Sequence, residues 1–419
     1  MAMSGEARRN ILAGAIGNVL EWYDFAIYGY FAAEIGRTFF APADPVSQML
    51  SAFGIFALGV LVRPLGGAML GYVGDKVSRR AALIFSVAMM AIPTFLIGLL
   101  PGYAVLGVAA PVALAGLRMI QGLSAGGEFT TSVVFMVEHA PPGQRGLIGA
   151  LACCSGTFGI LAGSATGAAL AMAMSPETLN EWGWRIPFLA GLLVGGAGVL
   201  LRRGLHEEAA ARASQHSPLV EALRDHGRLV AHIAALTMFH AVSYYVAFIY
   251  VVNWLKLNYG ISPARALQIN TLSMVVVVVL LPVMGWLSDR VGRRPVMLTA
   301  TAVGLVAAWP LFWLMSGGSA GSILLGQLGF SLIIAAFTGT LPSLLVEVVP
   351  LEVRCTVISL GFNVTLGVVG GLTPLAAGWL VEQTGNVYCP AFMIMAAVPI
   401  SVLALLRFKE SYHDVLRTT

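Results

Sequence analysis

The 419-residue chain is 58% hydrophobic and only 11% charged, where soluble domains carry about 25% charged residues. Its 24 Lys and Arg against 20 Asp and Glu leave a net charge of +4. These values exclude a disordered protein, a coiled coil and a nucleic-acid binder, and 48 glycines without a triplet repeat fit close-packed membrane helices.

A membrane helix needs about 20 mostly apolar residues. Twelve such stretches are predicted, near residues 12–39, 49–73, 81–101, 104–137, 147–174, 186–203, 230–257, 266–287, 295–316, 320–348, 355–382 and 388–407. The first is too long for a cleaved signal peptide and carries Glu21 and Asp24, so it reads as a working helix. Eighteen of the 24 basic residues fall on one side of this arrangement. Arg37, Arg185, Lys256 and Arg265 fall on the other, and Arg63 and Arg118 lie inside spans. Positive charge collects on the cytoplasmic side, so both termini are expected there. Cys153, Cys154, Cys355 and Cys389 sit in or beside spans without metal-ligand spacing and read as small apolar fillers.

A duplication organises the chain. Gly71-Tyr-Val-Gly-Asp75-Lys76-Val-Ser-Arg79-Arg80 follows the second span, and Gly285-Trp-Leu-Ser-Asp289-Arg290-Val-Gly-Arg293-Arg294 follows the eighth, 214 residues on. Val137-Glu138 with Arg145 matches Val346-Glu347 with Arg354 at an offset of 209. Two parallel six-helix halves follow, residues 1–203 and 230–419, joined by a polar cytoplasmic linker at 204–229. Parallel six-span repeats are the arrangement of the major facilitator fold, with the substrate site at the midplane between halves. Positive charge held inside explains the arginines of these loops, but not Gly-x3-Asp in the same register twice. Asp75, Arg79, Glu138 and Arg145 are therefore expected to form a cytoplasmic charge cluster, and Asp289, Arg293, Glu347 and Arg354 its twin. Formed and broken by turns, the clusters would gate a rocking motion.

These residues resemble the major facilitator superfamily, whose signature Gly-x3-Asp-(Arg/Lys)-x-Gly-Arg-(Arg/Lys) occurs twice, the first copy with Ser78 in place of Gly. More narrowly, Gly17-Asn18-x2-Glu21-Trp-Tyr23-Asp24-Phe25, Arg63-Pro64-Leu-Gly66-Gly67, Gln121-Gly-x-Ser124-x-Gly126-Gly127-Glu128 and Trp182-Gly-Trp184-Arg185-Ile-Pro187-Phe are similar to the metabolite:proton symporter branch. That branch includes bacterial transporters of proline and betaine, 2-oxoglutarate, citrate and shikimate. The resemblance implies an all-α membrane protein of the inner (cytoplasmic) membrane, with twelve transmembrane helices in two six-helix halves.

An ionisable residue deep in a span costs roughly 2.5–3.5 kcal/mol on insertion scales and is a candidate for function. At 1.5 Å per residue, Asp24 lies about 20 Å from the inner end of the first span, Arg118 about 17 Å from the outer end of the fourth, and Arg63 about 18 Å from the inner end of the second. Glu21, Asp24 and Tyr28 share one helix face, and Arg118, Gln121 and Glu128 form a polar stripe. An Asp24–Arg118 pair could simply fix helix packing. Three deep acids (Glu21, Asp24, Glu128) against two deep bases leave one carboxylate in excess, however, and desolvation favours the neutral form of an unpaired acid. Asp24 is the preferred proton carrier, then Glu128, with Arg118 alternating between acid and substrate.

The second half carries no comparable charge at mid-depth. Its seventh span offers His240, Ser243, Tyr244, Tyr245, Tyr250 and Asn253, and the tenth and eleventh add Thr338 and Asn363. These aromatics serve as packing or as half of an apolar pocket with a few convergent polar groups. Arg63, Arg118, Gln121, Tyr28, His240, Tyr244, Tyr245, Asn253 and Asn363 are the substrate-binding candidates. Two deep cations balance a monocarboxylate or zwitterion more easily than a di- or trianion, and Tyr244 and Tyr245 suit a quaternary ammonium group. The expected function is proton-coupled import of a small carboxylate-bearing metabolite (monocarboxylate, zwitterion or organic acid) by alternating access, with a proton-driven antiporter exporting a drug or metabolite and a membrane solute sensor as alternatives. The expected working unit is a monomer in the lipid bilayer, powered by the proton gradient without a cofactor. No nucleophile–base set, phosphate loop or metal spacing points to an enzyme.

Overall fold

The computed structural model describes residues 5–66, 69–70, 79–126, 128–138, 140–141, 143–203, 218–350 and 354–412. Among these residues all regular structure is helical, and the helices join into twelve rods. Spans 1 to 6 are Gly5–Tyr30 with Ala32–Phe39, Pro45–Leu61, Arg79–Leu99, Ala109–Ser124 with Glu128–Glu138, Arg145–Ala173 and Ile186–Arg203. Span 7 runs through Pro218–Tyr244, a π-type stretch Tyr245–Tyr250 and Val251–Tyr259. Spans 8 to 10 are Pro263–Val291, Arg293–Ser316 and Ala320–Val348. Span 11 runs through Arg354–Asn363, a second π-type stretch Val364–Gly370 and Gly371–Thr384, and span 12 is Cys389–Arg407. Span 7 thus starts at Pro218, so the second part of the polar joint is helical, while residues 204–217 lie outside the described residues.

Local chemistry places the helix starts. Asp44 precedes span 2 and accepts from the amides of Val46 and Ser47 at 3.1 and 3.0 Å, with Pro45 opening the helix. Ser262 and Pro263 do the same for span 8, its counterpart in the second half, with Ser262 accepting from Arg265 N–H at 3.3 Å. A hydroxyl or carboxylate at the cap satisfies amides that have no intrahelical partner, and proline there loses nothing. Between spans 8 and 9 the chain turns at Gly292 with φ +101°, backbone that side-chain-bearing residues rarely adopt. The Glu410 carboxylate then caps span 9, accepting from the amides of Arg293 at 2.8 Å and Arg294 at 2.9 Å.

Eight helices among the described residues are individually long and apolar enough to cross a membrane. Large apolar side chains such as Leu193, Val306, Val112 and Trp313 face outward, as lipid contact requires. The halves meet mainly through span 5 against span 8 and span 2 against span 11. Apolar burial gives little drive for helix association in lipid, so these seams use small residues that let backbones touch. A Cβ on Gly285 would lie 2.3 Å from the Gly146 carbonyl oxygen, and one on Gly146 would lie 2.3 Å from that of Gly285. Within the first half, a Cβ on Gly122 would lie 1.6 Å from the Gly59 carbonyl oxygen. Gly122→Ala therefore forces spans 2 and 4 apart, at about 1–3 kcal/mol for overpacking. Its thermal midpoint in detergent should fall, whereas Gly116→Ala, where an added Cβ meets nothing within 4 Å, should hold or rise.

Candidate functional site

Span 1 brings Glu21, Asp24 and Tyr28 to one face of the first half, and spans 2, 3 and 4 close over it. Arg118, fully buried, donates through Nη1 to Asp24 Oδ2 at 2.7 Å and to Gln121 Oε1 at 2.8 Å. The other Asp24 oxygen, Oδ1, accepts from Gln121 Nε2 and from the Thr94 hydroxyl, both at 2.7 Å. Arg63 Nη2 pairs with Glu21 and donates to the Ala125 carbonyl oxygen at 3.0 Å. The guanidinium faces are covered by rings. Arg118 lies 4.3 Å from the centre of Tyr28 and 5.5 Å from Phe56, and Arg63 lies 5.3 Å from Phe25. Such cation–π contacts add to two acid–base pairs that cancel charge among buried side chains. The excess carboxylate of the sequence count falls to Glu128, which opens the second segment of span 4 and whose side chain lies outside the described residues.

Two features of this network point to a missing acceptor. Nε and Nη2 of Arg118, and Nε and Nη1 of Arg63, have no hydrogen-bond partner among the described residues. Buried donors are normally satisfied, and buried guanidinium N–H groups all the more so. The Tyr245 hydroxyl is likewise buried without a partner, and it lies within electrostatic reach of Arg63, Arg118 and Glu21.

Tyr245 also borders a central cavity between the halves, with Trp22, Phe129, Thr157, His240, Tyr244, Thr338 and Phe362 in its wall. His240 Nδ1 meets Thr338 Oγ1 at 2.9 Å, and its ring stacks on Phe362 at 6.2 Å. The Tyr244 hydroxyl donates to Thr157 Oγ1 at 3.4 Å. The Tyr28 hydroxyl instead donates to the Ala52 carbonyl oxygen at 3.0 Å. Of the nine residues expected in the pocket only His240, Tyr244 and Tyr245 line it; Arg63, Arg118, Gln121 and Tyr28 lie in the buried network of the first half, and Asn253 and Asn363 bond backbone. Asn253 donates to the Gly29 carbonyl oxygen at 2.9 Å, and Asn363 to that of Gly126 at 3.0 Å. The physical reason is the backbone. Span 4 is interrupted after Ser124, and carbonyls freed at membrane depth must find donors, so Asn363 and Arg63 supply them.

The cytoplasmic charges group differently from the expected pair of separate clusters. Asp289, Arg293 and Glu347 group within the second half as expected, but Arg354 and Arg145 pair with acids of the opposite half. Arg354 Nη1 lies 2.5 Å from Glu138, and Arg145 lies 3.7 Å from Glu347. Arg293 forks onto Glu347 at 2.9 and 3.2 Å and reaches Asp289 at 2.8 Å. Asp289 accepts from the amides of Gly146 and Leu147 at 2.8 and 2.9 Å, capping span 5 of the opposite half. The pseudo-two-fold relation causes this, because it sets the basic end of each half against the acidic residues of the other. Asp75 and the Arg79 side chain lie outside the described residues. At the opposite end, Lys256 Nζ lies 3.0 Å from Glu34, a second tie between the halves, with Arg37 3.6 Å from the same carboxylate. Glu34 and Thr94 were not singled out from the sequence. The signal for Glu34 was present: it is an acid at the outer end of span 1, and Lys256 is a base at the same depth of span 7, the repeat equivalent.

The family model for the Major Facilitator Superfamily matches residues 14–360 and 233–418. The chain is 34% identical over 432 residues to the proline/betaine transporter of Salmonella typhimurium, covering 99% of this chain and 85% of that protein. It is 33% identical over 410 residues to the citrate-proton symporter of Klebsiella pneumoniae, covering 96% of this chain and 92% of that one. A partially occluded inward-open structure of the xylose transporter XylE from E. coli superposes with a TM-score of 0.75 at 18% identity, covering 99% of this chain and all of that one. The fold, the duplicated loops and these matches define a twelve-helix secondary transporter of the membrane. The chain belongs to the Major Facilitator Superfamily.

Breaking a buried ion pair by removing one partner costs about 3–5 kcal/mol. Glu138→Arg should therefore open the inner end and raise alkylation of Cys153, a buried native thiol on the central cavity, by about tenfold or more. Adding Arg354→Glu restores the pair with its charges exchanged and should return labelling, read at Cys153 by mass spectrometry, toward the wild-type rate.

Proposed function

We propose that the protein is a proton-coupled symporter importing a small metabolite with one carboxylate, a monocarboxylate or zwitterion, across the inner membrane. One observation carries this reading. Arg118 is fully buried, engages Asp24 through one nitrogen and keeps two further donor nitrogens unpartnered among the described residues. Protonation of Asp24 at Oδ1, which is held by neutral donors, releases Arg118 from its counter-ion. The freed guanidinium then takes the substrate carboxylate and is neutralised by it, while the ammonium of a zwitterion lies apart among the rings of the central cavity. Proton and carboxylate bind together because either alone leaves a net charge in an apolar bundle. Arg63 and the Tyr245 hydroxyl supply further donors to the carboxylate, and His240, Tyr244 and the aromatic cavity wall hold the rest of the molecule. Ring faces attract a quaternary or secondary ammonium, which favours betaine- or proline-like zwitterions. The names of the relatives support this choice and keep citrate as the comparison substrate.

The moving parts in this reading are residues 1–203 and 230–419, with 204–229 as cytoplasmic linker and both termini in the cytoplasm. Rocking of one half against the other breaks the inner or the outer ion pairs in turn. The protein acts as a monomer, the proton gradient supplies the energy, and no cofactor enters.

A thermal-stability screen against organic acids, amino acids and betaines identifies the ligand, which adds about 2.7 kcal/mol at a hundredfold excess over Kd. In vesicles with an acid-outside gradient, that ligand should accumulate. Asp24→Asn should abolish accumulation while preserving exchange of internal for external ligand. Gradient-driven depletion would mean antiport, and binding without flux a sensor.

A further inference from the structure

Asp24 faces a second cleft that the substrate reading does not use. It lies inside the first half, among spans 1, 3, 4 and 6, and has Glu21, Asp24, Ser86, Met90, Thr94 and Ser124 in its wall. No residue of this wall lines the central cavity. Trp22, Phe25 and Phe56 pack against one another and carry the two guanidinium groups; Trp22 borders the central cavity and none of the three borders the cleft. Ser86, Met90 and Thr94 recur every four residues and so form one stripe along span 3. The stripe runs from Thr94, at the depth of Asp24, for about 12 Å toward the end of the bundle that carries the duplicated basic loops. There Ser86 and Ser124 clasp spans 3 and 4, their hydroxyl oxygens 3.2 Å apart.

The Thr94 hydroxyl has one hydrogen and two acceptors in reach, Asp24 Oδ1 at 2.7 Å and the Met90 carbonyl oxygen at 2.8 Å, while Gln121 donates to it at 2.7 Å. An ionised Asp24 takes that hydrogen. A protonated Asp24 donates its own to Thr94 Oγ1, and the threonine hydrogen turns to Met90. Both charge states are satisfied without a side chain leaving its place.

We infer that protons reach and leave Asp24 through this cleft in the first half, with Thr94 as the relay at its floor, while the substrate uses the central cavity. The inference rests on Asp24 as the proton carrier. In release, the Asp24 O–H bond breaks as the proton passes to Thr94 Oγ1, and the threonine O–H bond breaks as its hydrogen passes to a water molecule of the cleft. The products are a carboxylate, an intact threonine and a hydronium ion, which leaves along the Ser86–Ser124 stripe. The cleft walls are mostly apolar, but it has room for a water molecule and offers it the oxygens of Asp24, Thr94, Ser86 and Ser124.

The test needs no substrate. Infrared titration of the purified protein in lipid follows the protonated-carboxyl band that Asp24→Asn removes, and transfer to D2O gives the rate at which that band exchanges. Thr94→Val, which is close to isosteric, and Ser86→Val, which exchanges a hydroxyl for a slightly larger apolar group, should slow exchange by about tenfold or more, and Thr94→Ser should restore it to within about twofold. Leu341→Phe, which crowds the central cavity, should leave the rate unchanged. Exchange at the wild-type rate in both valine variants, or slowed only by Leu341→Phe, overturns the route and leaves Asp24 as carrier. A carboxyl band that Asp24→Asn does not touch overturns the carrier assignment and the route together.

Discussion

A guanidinium that cannot shed its proton, placed in the middle of an apolar bundle, constrains everything around it. Arg118 is held by Asp24 and Gln121 and lies over Tyr28, and each of these is positioned by something further out. Gln121 and Thr94 fix the carboxylate, the Tyr28 hydroxyl is tied to the backbone of span 2, and Arg63 and Glu21 repeat the pairing one turn away. The polar face of span 1 can sit nowhere else, since a lipid-facing carboxylate or arginine would be left without a partner. Helix order within the first half follows from where these few charges can be neutralised.

The second half answers with shape and aromatic surface rather than charge. Its contribution at mid-depth is a wall of rings and hydroxyls, and spans 7 and 11, which supply much of it, both pass through π-type stretches. Such turns recur at functional sites because a wider turn frees carbonyls and re-aims neighbouring side chains. Asymmetry between the halves is therefore chemical, while symmetry survives in the caps of spans 2 and 8 and in the charges at the inner end.

The spans, the duplication and the deep charges were legible in the sequence because each is a local or periodic signal. Twelve apolar runs, two copies of Gly-x3-Asp and five ionisable residues at mid-depth need no knowledge of partners. Pairing was legible only where few choices existed, as for Asp24 with Arg118. It failed at the inner end, where Glu138 has a base of the same loop region available and instead meets Arg354 across the pseudo-two-fold. Amide side chains were the hardest. Asn253 and Asn363 bond backbone carbonyls whose exposure depends on a helix interruption and on contact between halves, and no residue pattern encodes either in advance. Thr94 is one hydroxyl among many until the fold sets it against Asp24.

The ties at the two ends have a consequence of another kind. In this arrangement Glu34–Lys256 ties the halves at one end while Glu138–Arg354 and Arg145–Glu347 tie them at the other. If these ties are the gates, a form with both in place isolates the space between the halves from either compartment. A carrier that must pass through such a doubly latched form to change sides conducts no ion current on the way, so leak is suppressed even when no substrate is bound. Because these pairs are largely withdrawn from solvent, added salt screens them weakly, and this seal should hold across a wide range of ionic strength.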